Sequence, residues 1–433
     1  MKILLINPSD STYNKKNGAF KRSLSYASLT QTTLASLVPE ELNAEVEILD
    51  EGVERFNGFG GADLVGISSI TASAYRAYEL ADMARAEGRT VILGGVHPTL
   101  IPHEAAKHAD SVVVGFAEQT WPKLLMDFQA GELKSKYSNP AAFSLAGLPD
   151  AKRNLLKKGA YLGIHTVQAS RGCTNSCDFC CIPVAWGRKY HQRPVEDVIS
   201  EIIRLGTREV LFLDPSPVED REYALELFRQ LIPLKIKWGG LSTIRIAADK
   251  ELFDMAVKSG CIGLLIGFET LNQGALNRIN KGFNSKDSYI SAVNKLHDNG
   301  IAVLGCFMFG FDEDGSDVFL RTAEFVDKAG IDLVRYSVYT PFPGTPAFEV
   351  LEKQGRIITK DWSKYNTETV VYKPAKMSAE KLQSGLAYAW KHTTSFKSIL
   401  HRLRPDSPSF IISLAANIGF KFYSNKVMAA CND

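Results

Sequence analysis

Three cysteines lie within eight residues of this chain, at Cys173, Cys177 and Cys180, directly after an apolar run that predicts a strand. Any fold of the chain must therefore bring three thiols together in one loop. Thiolates are soft ligands that bind zinc or iron–sulfur clusters, and a structural zinc site ordinarily takes four protein ligands. No second group of closely spaced cysteines is present to complete a zinc site. The spacing therefore favours an iron–sulfur cluster held by three cysteines, in which one iron stays free for another ligand. A zinc knuckle completed by the adjacent Cys181, or an incidental cluster, is the alternative.

The composition indicates a globular protein of two or three domains. A chain of 433 residues is too long for one ordinary core, and a formal net charge of +2 gives no argument for nucleic acid as a partner. Seven cysteines, four of them between residues 173 and 181, do not form a disulfide framework and fit a reducing cytosol. The N-terminal apolar run is too short for a signal peptide, and no run of about 18 apolar residues predicts a membrane span.

Residues 1–135 alternate short aliphatic runs with helical patterns, which predicts a doubly wound, Rossmann-like α/β domain. The predicted strands are 2–6, 45–49, 64–68, 90–93 and 111–114. Ligands of such parallel sheets lie beyond the carboxyl ends of the strands, where small and hydroxyl residues would let a bulky ligand approach the backbone. The candidate contacts there are Ser68, Ser69, Thr71, Gly94, Gly95, His97, Thr99 and Gly115. A tight strand-to-helix turn explains Gly94-Gly95 equally well.

Residues 136–163 are rich in small and polar residues and predict a linker. The strand–helix alternation resumes over residues 164–345. The predicted strands of this region are 165–169, 210–213, 236–241, 262–267, 302–309 and 333–338. Residues 346–433 predict a small, mostly helical region, which begins with aromatic residues that could cover a barrel mouth. The C-terminal end of this region is first basic and then apolar. This pattern predicts a docking helix or a membrane-surface segment.

With Phe179 before the last cysteine, the stretch from Arg171 to Cys180 resembles the cluster loop of the radical S-adenosylmethionine (radical SAM) enzymes. In that family the open iron chelates the amino and carboxylate groups of S-adenosylmethionine (SAM), and one electron then cleaves SAM to a 5′-deoxyadenosyl radical. The six strand–helix units resemble the family's partial (β/α)6 barrel. The resemblance implies a 4Fe–4S cluster held by Cys173, Cys177 and Cys180. It also implies SAM contacts near the barrel strand ends, at Phe179, Asp214, Arg245, Glu269 and Gly305.

Two of these assignments have structural alternatives. Phe179 could serve only to pack the core, and Glu269 could simply pair with Arg245 or Lys281.

The sequence VILGGVHPTL at 91–100 is similar to the cobalamin-binding domain that precedes the barrel in class B radical SAM enzymes. The resemblance implies that the eight candidate contacts of the first domain face cobalamin. Methionine-synthase-type domains carry an Asp-x-His-x-x-Gly motif whose histidine binds cobalt, and no such motif follows the first strand here. That absence implies cobalamin without a histidine ligand from that loop. His97 follows a different strand, and its relation to the cobalt stays open.

The chain looks like the short type of cobalamin-dependent radical SAM methyltransferase, to which hopanoid- and bacteriochlorophyll-methylating enzymes belong. The resemblance implies that the methyl group moves from SAM through methylcobalamin to an unactivated carbon of a small or lipid-like substrate. The alternative is oxidative cyclisation or rearrangement without methyl transfer. We also expect an external electron donor such as a flavodoxin or ferredoxin, and a cytoplasmic location with membrane-surface contact through the C-terminal segment. Two other classes of protein are less consistent with the sequence. A tRNA methylthiotransferase would need three further cysteines before Cys173, and the sequence has none there. A carrier protein would not need a barrel.

Overall fold

The computed structural model describes residues 1–10, 27, 29–139, 143–161, 165–403 and 410–430. Within these ranges the chain forms two six-stranded parallel sheets, one two-stranded antiparallel hairpin and sixteen α-helices. Parts of the predicted linker and of the basic C-terminal stretch lie outside the described residues.

The strands are β1 (Lys2–Asn7), β2 (Glu45–Asp50), β3 (Leu64–Ser68), β4 (Thr90–Gly94), β5 (Ser111–Val114), β6 (Lys136–Ser138), β7 (Thr166–Val167), β8 (Ser170–Gly172), β9 (Tyr190–Gln192), β10 (Glu209–Phe212), β11 (Lys237–Ser242), β12 (Cys261–Glu269), β13 (Ala302–Phe309) and β14 (Leu333–Val338). The helices are α1 (Leu29–Ser36), α2 (Ala74–Ala86), α3 (Val96–Leu100), α4 (Pro102–Ala105), α5 (Thr120–Gln129), α6 (Cys181–Trp186), α7 (Val195–Leu205), α8 (Arg221–Leu231), α9 (Lys250–Lys258), α10 (Gln273–Arg278), α11 (Tyr289–Asp298), α12 (Val318–Ala329), α13 (Pro346–Lys353), α14 (Ala379–Thr393), α15 (Phe396–Arg402) and α16 (Phe410–Ala430).

The first sheet has the strand order β2-β1-β3-β4-β5-β6, with every pair parallel. Its strands are nearly continuous in aliphatic residues because helices cover both faces, and separate apolar clusters fill the two sides. This arrangement confirms the predicted doubly wound α/β fold. The sheet also extends past the predicted boundary at residue 135, since β6 pairs in register with β5 through Lys136 and Val112.

The second sheet has the order β14-β13-β12-β11-β10-β7, again all parallel, and confirms the predicted partial barrel. The predicted strand at 165–169 is divided in two. Only Thr166 and Val167 join the barrel, and the chain then continues into β8, which pairs antiparallel with β9. The cysteine loop therefore leaves from a hairpin at the carboxyl end of the first barrel strand.

Among the C-terminal aromatics, Tyr372 lies at the barrel mouth, where its hydroxyl donates to the carbonyl of Gly310 directly after β13. Trp362 and Tyr365 fill the apolar cluster on one face of the first sheet, whereas Tyr372 and Trp390 belong to the core of the barrel. All four are at most 5% exposed. The aromatics therefore join the C-terminal region to both sheets.

The last two helices pack against the closed end of the barrel. Buried Arg402 donates to the carbonyl of Ile331 at 2.7 Å, and Asn417 donates to that of Asp332 at 2.8 Å. Both carbonyls precede β14, so α15 and α16 cover the amino-terminal ends of the strands, opposite to the cysteine loop. Within the described ranges, no helix combines the length and apolarity needed to cross a membrane.

Candidate active site

The cysteine loop starts at a turn that only glycine permits. Gly172 has φ +79°, and a Cβ there would lie 2.1 Å from the carbonyl oxygen of Lys189, just before the paired strand β9. Cys173, Cys177 and Cys180 follow in a half-buried loop. Asn175 Nδ2 lies 3.3 Å from the sulfur of Cys173, so a side-chain donor already faces one thiol.

Three barrel strand ends hold this loop in place. After β10, the side chain of Glu219 is 3% exposed and accepts hydrogen bonds from Thr174 at 3.1 Å and Asn175 at 3.0 Å. The other two anchors lie after β12 and β14. Asn280 donates to the carbonyl of Ser176 at 3.1 Å, and Tyr339 donates to the carboxylate of Asp178 at 2.9 Å.

The donor set fits a cluster with three thiolate ligands. Burial raises the pKa of the Cys177 thiol to about 11, so its ionisation requires a positive partner such as bound iron. Among the described residues, no three His, Cys, Asp or Glu side chains are grouped to hold a single metal ion. A four-iron cluster needs a wider arrangement, because each thiolate binds a different iron.

Glu269 and Lys281 form a buried ion pair at the carboxyl end of β12. Their side chains are 9% and 11% exposed, and Lys281 donates to Glu269 Oε1. Glu269 has φ +66° and follows a register shift between β12 and β13. Its role in SAM binding stays a prediction, and the structural alternative, pairing with Lys281, is what the side chains adopt here.

Asp214 is held by the first residues of the cysteine hairpin. The side chain is fully buried and accepts hydrogen bonds from Ala169 N at 3.1 Å and from the backbone and hydroxyl of Ser170 at 2.5 Å each. Burial raises its pKa to about 6. In this geometry Asp214 fixes the start of the cysteine hairpin, and its contact with SAM stays a prediction.

Arg245 remains available to a ligand. Its guanidinium is 47% exposed, lies 3.4 Å from Glu219 and sits 4.4 Å from the centroid of the Phe283 ring. Because Glu219 also holds the cysteine loop, Arg245 lies beside that loop, and a role with the SAM carboxylate stays a prediction.

Phe179 and Gly305 both contact the barrel core. Phe179 is half-buried, with its ring 6.2 Å from that of Tyr339. A Cβ on Gly305 would lie 3.1 Å from Ile331, so that face of the strand is closed by packing. The Cβ side of Gly305 therefore has no open space, and its contact with SAM stays a prediction.

The predicted cobalamin residues come together at the carboxyl ends of β3, β4 and β5. Thr99 donates to the carbonyl of Gly95 at 2.7 Å and accepts from the amide of Gly115 at 3.0 Å, which ties two of the loops together. Gly95 has φ +97°, and a Cβ there would lie 2.7 Å from the Ser68 hydroxyl. Thr71 is buried, and Gly94 ends β4.

One buried hydroxyl in these loops is left for a ligand. Ser69 Oγ has no hydrogen-bond partner among the described residues. A polar group of cobalamin at this strand end would satisfy it, so the residues present fit the group.

His97 is fully buried behind this edge. Its Nε2 lies 3.4 Å from Glu104, its ring packs between those of Tyr78 and Trp362, and burial lowers its pKa. Its Nδ1 has no hydrogen-bond partner among the described residues, and its contact with cobalamin stays a prediction.

An ion pair joins the two sheets next to the cysteine loop. Arg171 Nη1 lies 2.5 Å from Glu118 Oε1, and the guanidinium lies 5.9 Å from the centroid of the Phe116 ring. Phe116 in turn stacks on Trp186, with centroids 5.7 Å apart. Glu118 follows β5 and Arg171 precedes the first cysteine, so the carboxyl ends of both sheets face each other.

Sequence reasoning missed the residues that hold the site. Glu118, Glu219 and Asn280 all follow strand ends, which is the only signal they carry. No fixed spacing connects them to the cysteines.

Two family profiles match the chain: the radical SAM superfamily over residues 167–342 and the B12 binding domain over residues 38–125. Bacteriochlorophyllide d C-12(1)-methyltransferase of Chlorobaculum tepidum is 34% identical over 379 residues, which cover 83% of this chain and 81% of that relative. Bacteriochlorophyllide d C-8(2)-methyltransferase of the same organism is 29% identical, with 90% of each chain covered.

Two solved structures share the overall fold. TsrM, a radical SAM methyltransferase from Kitasatospora setae solved with cobalamin and a 4Fe–4S cluster, matches with a TM-score of 0.68 at 14% identity, covering 100% of both chains. OxsB, a cobalamin-dependent SAM radical enzyme solved with aqua-cobalamin and SAM, matches with a TM-score of 0.71 at 16% identity, covering 98% of this chain and 71% of that one.

Proposed function

Because the chain belongs to the cobalamin-dependent radical SAM methyltransferases, we propose that it methylates a side-chain carbon of a tetrapyrrole macrocycle. The reaction class follows from the family. The substrate is the proposed part, and it rests on the two relatives named for bacteriochlorophyllide methylation. The ion pair of Arg171 with Glu118 supports the reaction class, because it holds the cysteine loop against the ligand edge of the first sheet.

The chain's own residues bind and orient the reactants. When bound, the cluster supplies the electron that cleaves SAM, and cobalamin carries the methyl group. Cys173, Cys177 and Cys180 would hold the cluster, and Ser69 would donate to or accept from a polar group of cobalamin. Glu219 and Asn280 keep the cysteine loop fixed. A fixed loop preserves the relative orientation of the reactants, on which the rate of such reactions depends.

The substrate proposal is tested by mass spectrometry. Anaerobic, reconstituted protein is incubated with SAM, a reductant and bacteriochlorophyllide d, and in a parallel reaction with a hopanoid. We expect a product one methylene heavier from the tetrapyrrole and none from the hopanoid. Methylation of the hopanoid alone would make the substrate a lipid and contradict the proposal.

We also propose that the C-terminal helices bind an anionic membrane surface. The side chains of Phe396 and Leu400 on α15 and Phe422 on α16 are 65%, 69% and 52% exposed, and we call them the tail patch. Lys421 lies 4.1 Å from the centroid of the Phe396 ring, so the two helices present one surface. Residues 381–405 contain basic side chains and no Asp or Glu, which favours anionic lipids.

The tail patch lies at the barrel end opposite to the cysteine loop, so a docked enzyme keeps its mouth facing the cytoplasm. There it would take electrons from a flavodoxin or ferredoxin. Co-sedimentation with phosphatidylglycerol vesicles tests the membrane contact. We expect F396S/L400S to lose binding, and L320S, which removes a 41%-exposed leucine from α12, to keep it. Equal binding by both variants would contradict the contact.

A further inference from the structure

The side-chain amide of Asn175 makes two contacts that only its nitrogen can make. Nδ2 lies 3.3 Å from the sulfur of Cys173 and 3.0 Å from Glu219 Oε1. The Cys173 thiol stands here for the thiolate that would bind the cluster. A carboxylate and a thiolate both only accept hydrogen bonds, so each takes one N–H of the amide. The chemistry of the two acceptors therefore fixes which way the amide points.

Glu219 holds this amide from a nearly closed position. Its side chain is 3% exposed, and it also accepts a hydrogen bond from the Thr174 hydroxyl at 3.1 Å. The guanidinium of Arg245 lies 3.4 Å from the same carboxylate, so the buried charge has a positive partner. A carboxylate held by three groups has little freedom to turn. The second N–H of Asn175 is thereby kept directed at the sulfur.

Attachment of the cysteine loop does not require the contact between Asn175 and Cys173. The loop is also held by side chains that follow β12 and β14. The Thr174 hydroxyl alone would bind it to Glu219. The contact of Asn175 differs from these because it reaches a cluster ligand, and hydrogen bonds to the sulfurs are among the factors that set the reduction potential of an iron–sulfur cluster.

We propose that Asn175, oriented by Glu219, raises the reduction potential of the cluster through its hydrogen bond to Cys173. Reduction adds one electron from an external one-electron donor and breaks no bond. The reduced state carries one more negative charge, part of which lies on the ligand sulfurs. An N–H donor at one sulfur therefore stabilises the reduced state more than the oxidised state. A weaker reductant then suffices to reduce the cluster.

Asn175 acts through Cys173, and Glu219 acts through Asn175, so both are positioning residues. The cysteine spacing alone gives neither of them, because Asn175 lies between two ligands without being one and Glu219 comes from a different strand end. The inference requires a cluster on the three cysteines and does not depend on the proposed substrate.

Potentiometric titration of protein loaded with cluster and cobalamin tests the proposal, with the electron paramagnetic resonance signal of the reduced cluster as the readout. Asn175→Leu keeps the size of the side chain and removes the donor. At the potential where the wild-type cluster is half reduced, we expect the ratio of reduced to oxidised cluster to be about fivefold lower in N175L.

Thr174→Val is the matched control, because it removes the neighbouring hydrogen bond to Glu219 without removing a donor to a sulfur. Its ratio should stay within about twofold of wild type. A shift in N175L no larger than that in T174V would overturn the proposal. Iron and sulfide analysis checks the loading first. If N175L does not retain its cluster, N175A, with a smaller side chain, must show the same direction, and a wild-type potential in N175A would overturn the proposal.

Variants of Glu219 separate the hydrogen bond from the negative charge. E219Q removes the charge but keeps an oxygen that can accept from Asn175, whereas E219L removes both. We expect the potential of E219L to lie below that of E219Q, and we expect this difference to vanish when each change is combined with N175L. Equal potentials in E219L and E219Q would contradict the orienting role of Glu219 and overturn the proposal.

The titration contains no tetrapyrrole and needs no methylated product. The expected shift in N175L, together with a failure to methylate bacteriochlorophyllide d, would contradict the proposed function and leave this inference intact. Methylation by the wild type, together with an unshifted potential in N175L, would do the reverse.

Discussion

Arg171 on the cysteine hairpin forms an ion pair with Glu118 on the first sheet, at 2.5 Å between Nη1 and Oε1. The Glu118 side chain is 3% exposed, and among the described residues Arg171 is its ion-pair partner. The pair lies two residues before Cys173, and it fixes the end of one domain against the start of the reactive loop of the other. Removal of the pair should therefore lower the stability of the protein and weaken the contact between the two domains.

Arg171→Met should lower the free energy of unfolding by about 1–3 kcal/mol. Removing one member of a fully buried pair costs about 3–5 kcal/mol, and the 23% exposure of Arg171 reduces that figure. Denaturant unfolding measures the loss. The double variant R171M/E118M should recover part of it, and a double variant as unstable as the sum of both single changes would contradict a direct interaction.

Substitution of the three cluster cysteines should abolish functions that substitution of the adjacent Cys181 leaves intact. Alanine at Cys173, Cys177 or Cys180 should abolish iron binding beyond background and the formation of 5′-deoxyadenosine from SAM. Cys181→Ala is the matched control, since Cys181 opens α6 beside the loop, and it should retain both. Iron analysis and chromatography of the nucleoside products check the two readouts. Full loss in C181A would instead support a four-cysteine site.

Asp214 should make stability fall as pH rises from about 4 to about 6. Burial raises its folded-state pKa to about 6, whereas an ordinary Asp titrates near about 3.9. Between these values the unfolded chain has released the proton that the folded chain keeps, so deprotonation favours unfolding by about 1.4 kcal/mol per pH unit. The unfolding free energy of wild type minus that of Asp214→Asn should therefore drop by about 3 kcal/mol over this range. A constant or rising difference would contradict this expectation.

His97 should be dispensable for cobalt ligation and important for folding. Its ring is fully buried and packs between those of Tyr78 and Trp362. His97→Asn should lower the melting temperature by several degrees. It should leave the electron paramagnetic resonance spectrum of bound cob(II)alamin unchanged. Loss of a nitrogen splitting from that spectrum in the variant would instead make His97 the axial ligand.

Much of the fold could be predicted because its signals are local. Aliphatic runs at regular spacing gave the strands of both sheets, and the cysteine spacing gave the cluster loop. The sixth strand of the first sheet, Lys136–Ser138, was missed because three polar and aromatic residues on an edge carry no apolar pattern.

The contacts within the site were harder to predict because they depend on packing between distant segments. Asp214 and Glu269 stand at equivalent strand ends in the sequence, yet one is buried under Ser170 and the other pairs with Lys281. Likewise, Trp362 and Tyr372 are both C-terminal aromatics but fill different cores. Tertiary partners of this kind have no fixed sequence spacing.

The most direct test of the account is the stoichiometry of SAM consumption. Anaerobic protein loaded with cluster and cobalamin is incubated with SAM, reductant and a chlorin substrate, and all products are quantified. We expect one S-adenosylhomocysteine and one 5′-deoxyadenosine for each methylated product. Formation of 5′-deoxyadenosine and an altered, unmethylated substrate without S-adenosylhomocysteine would contradict the account.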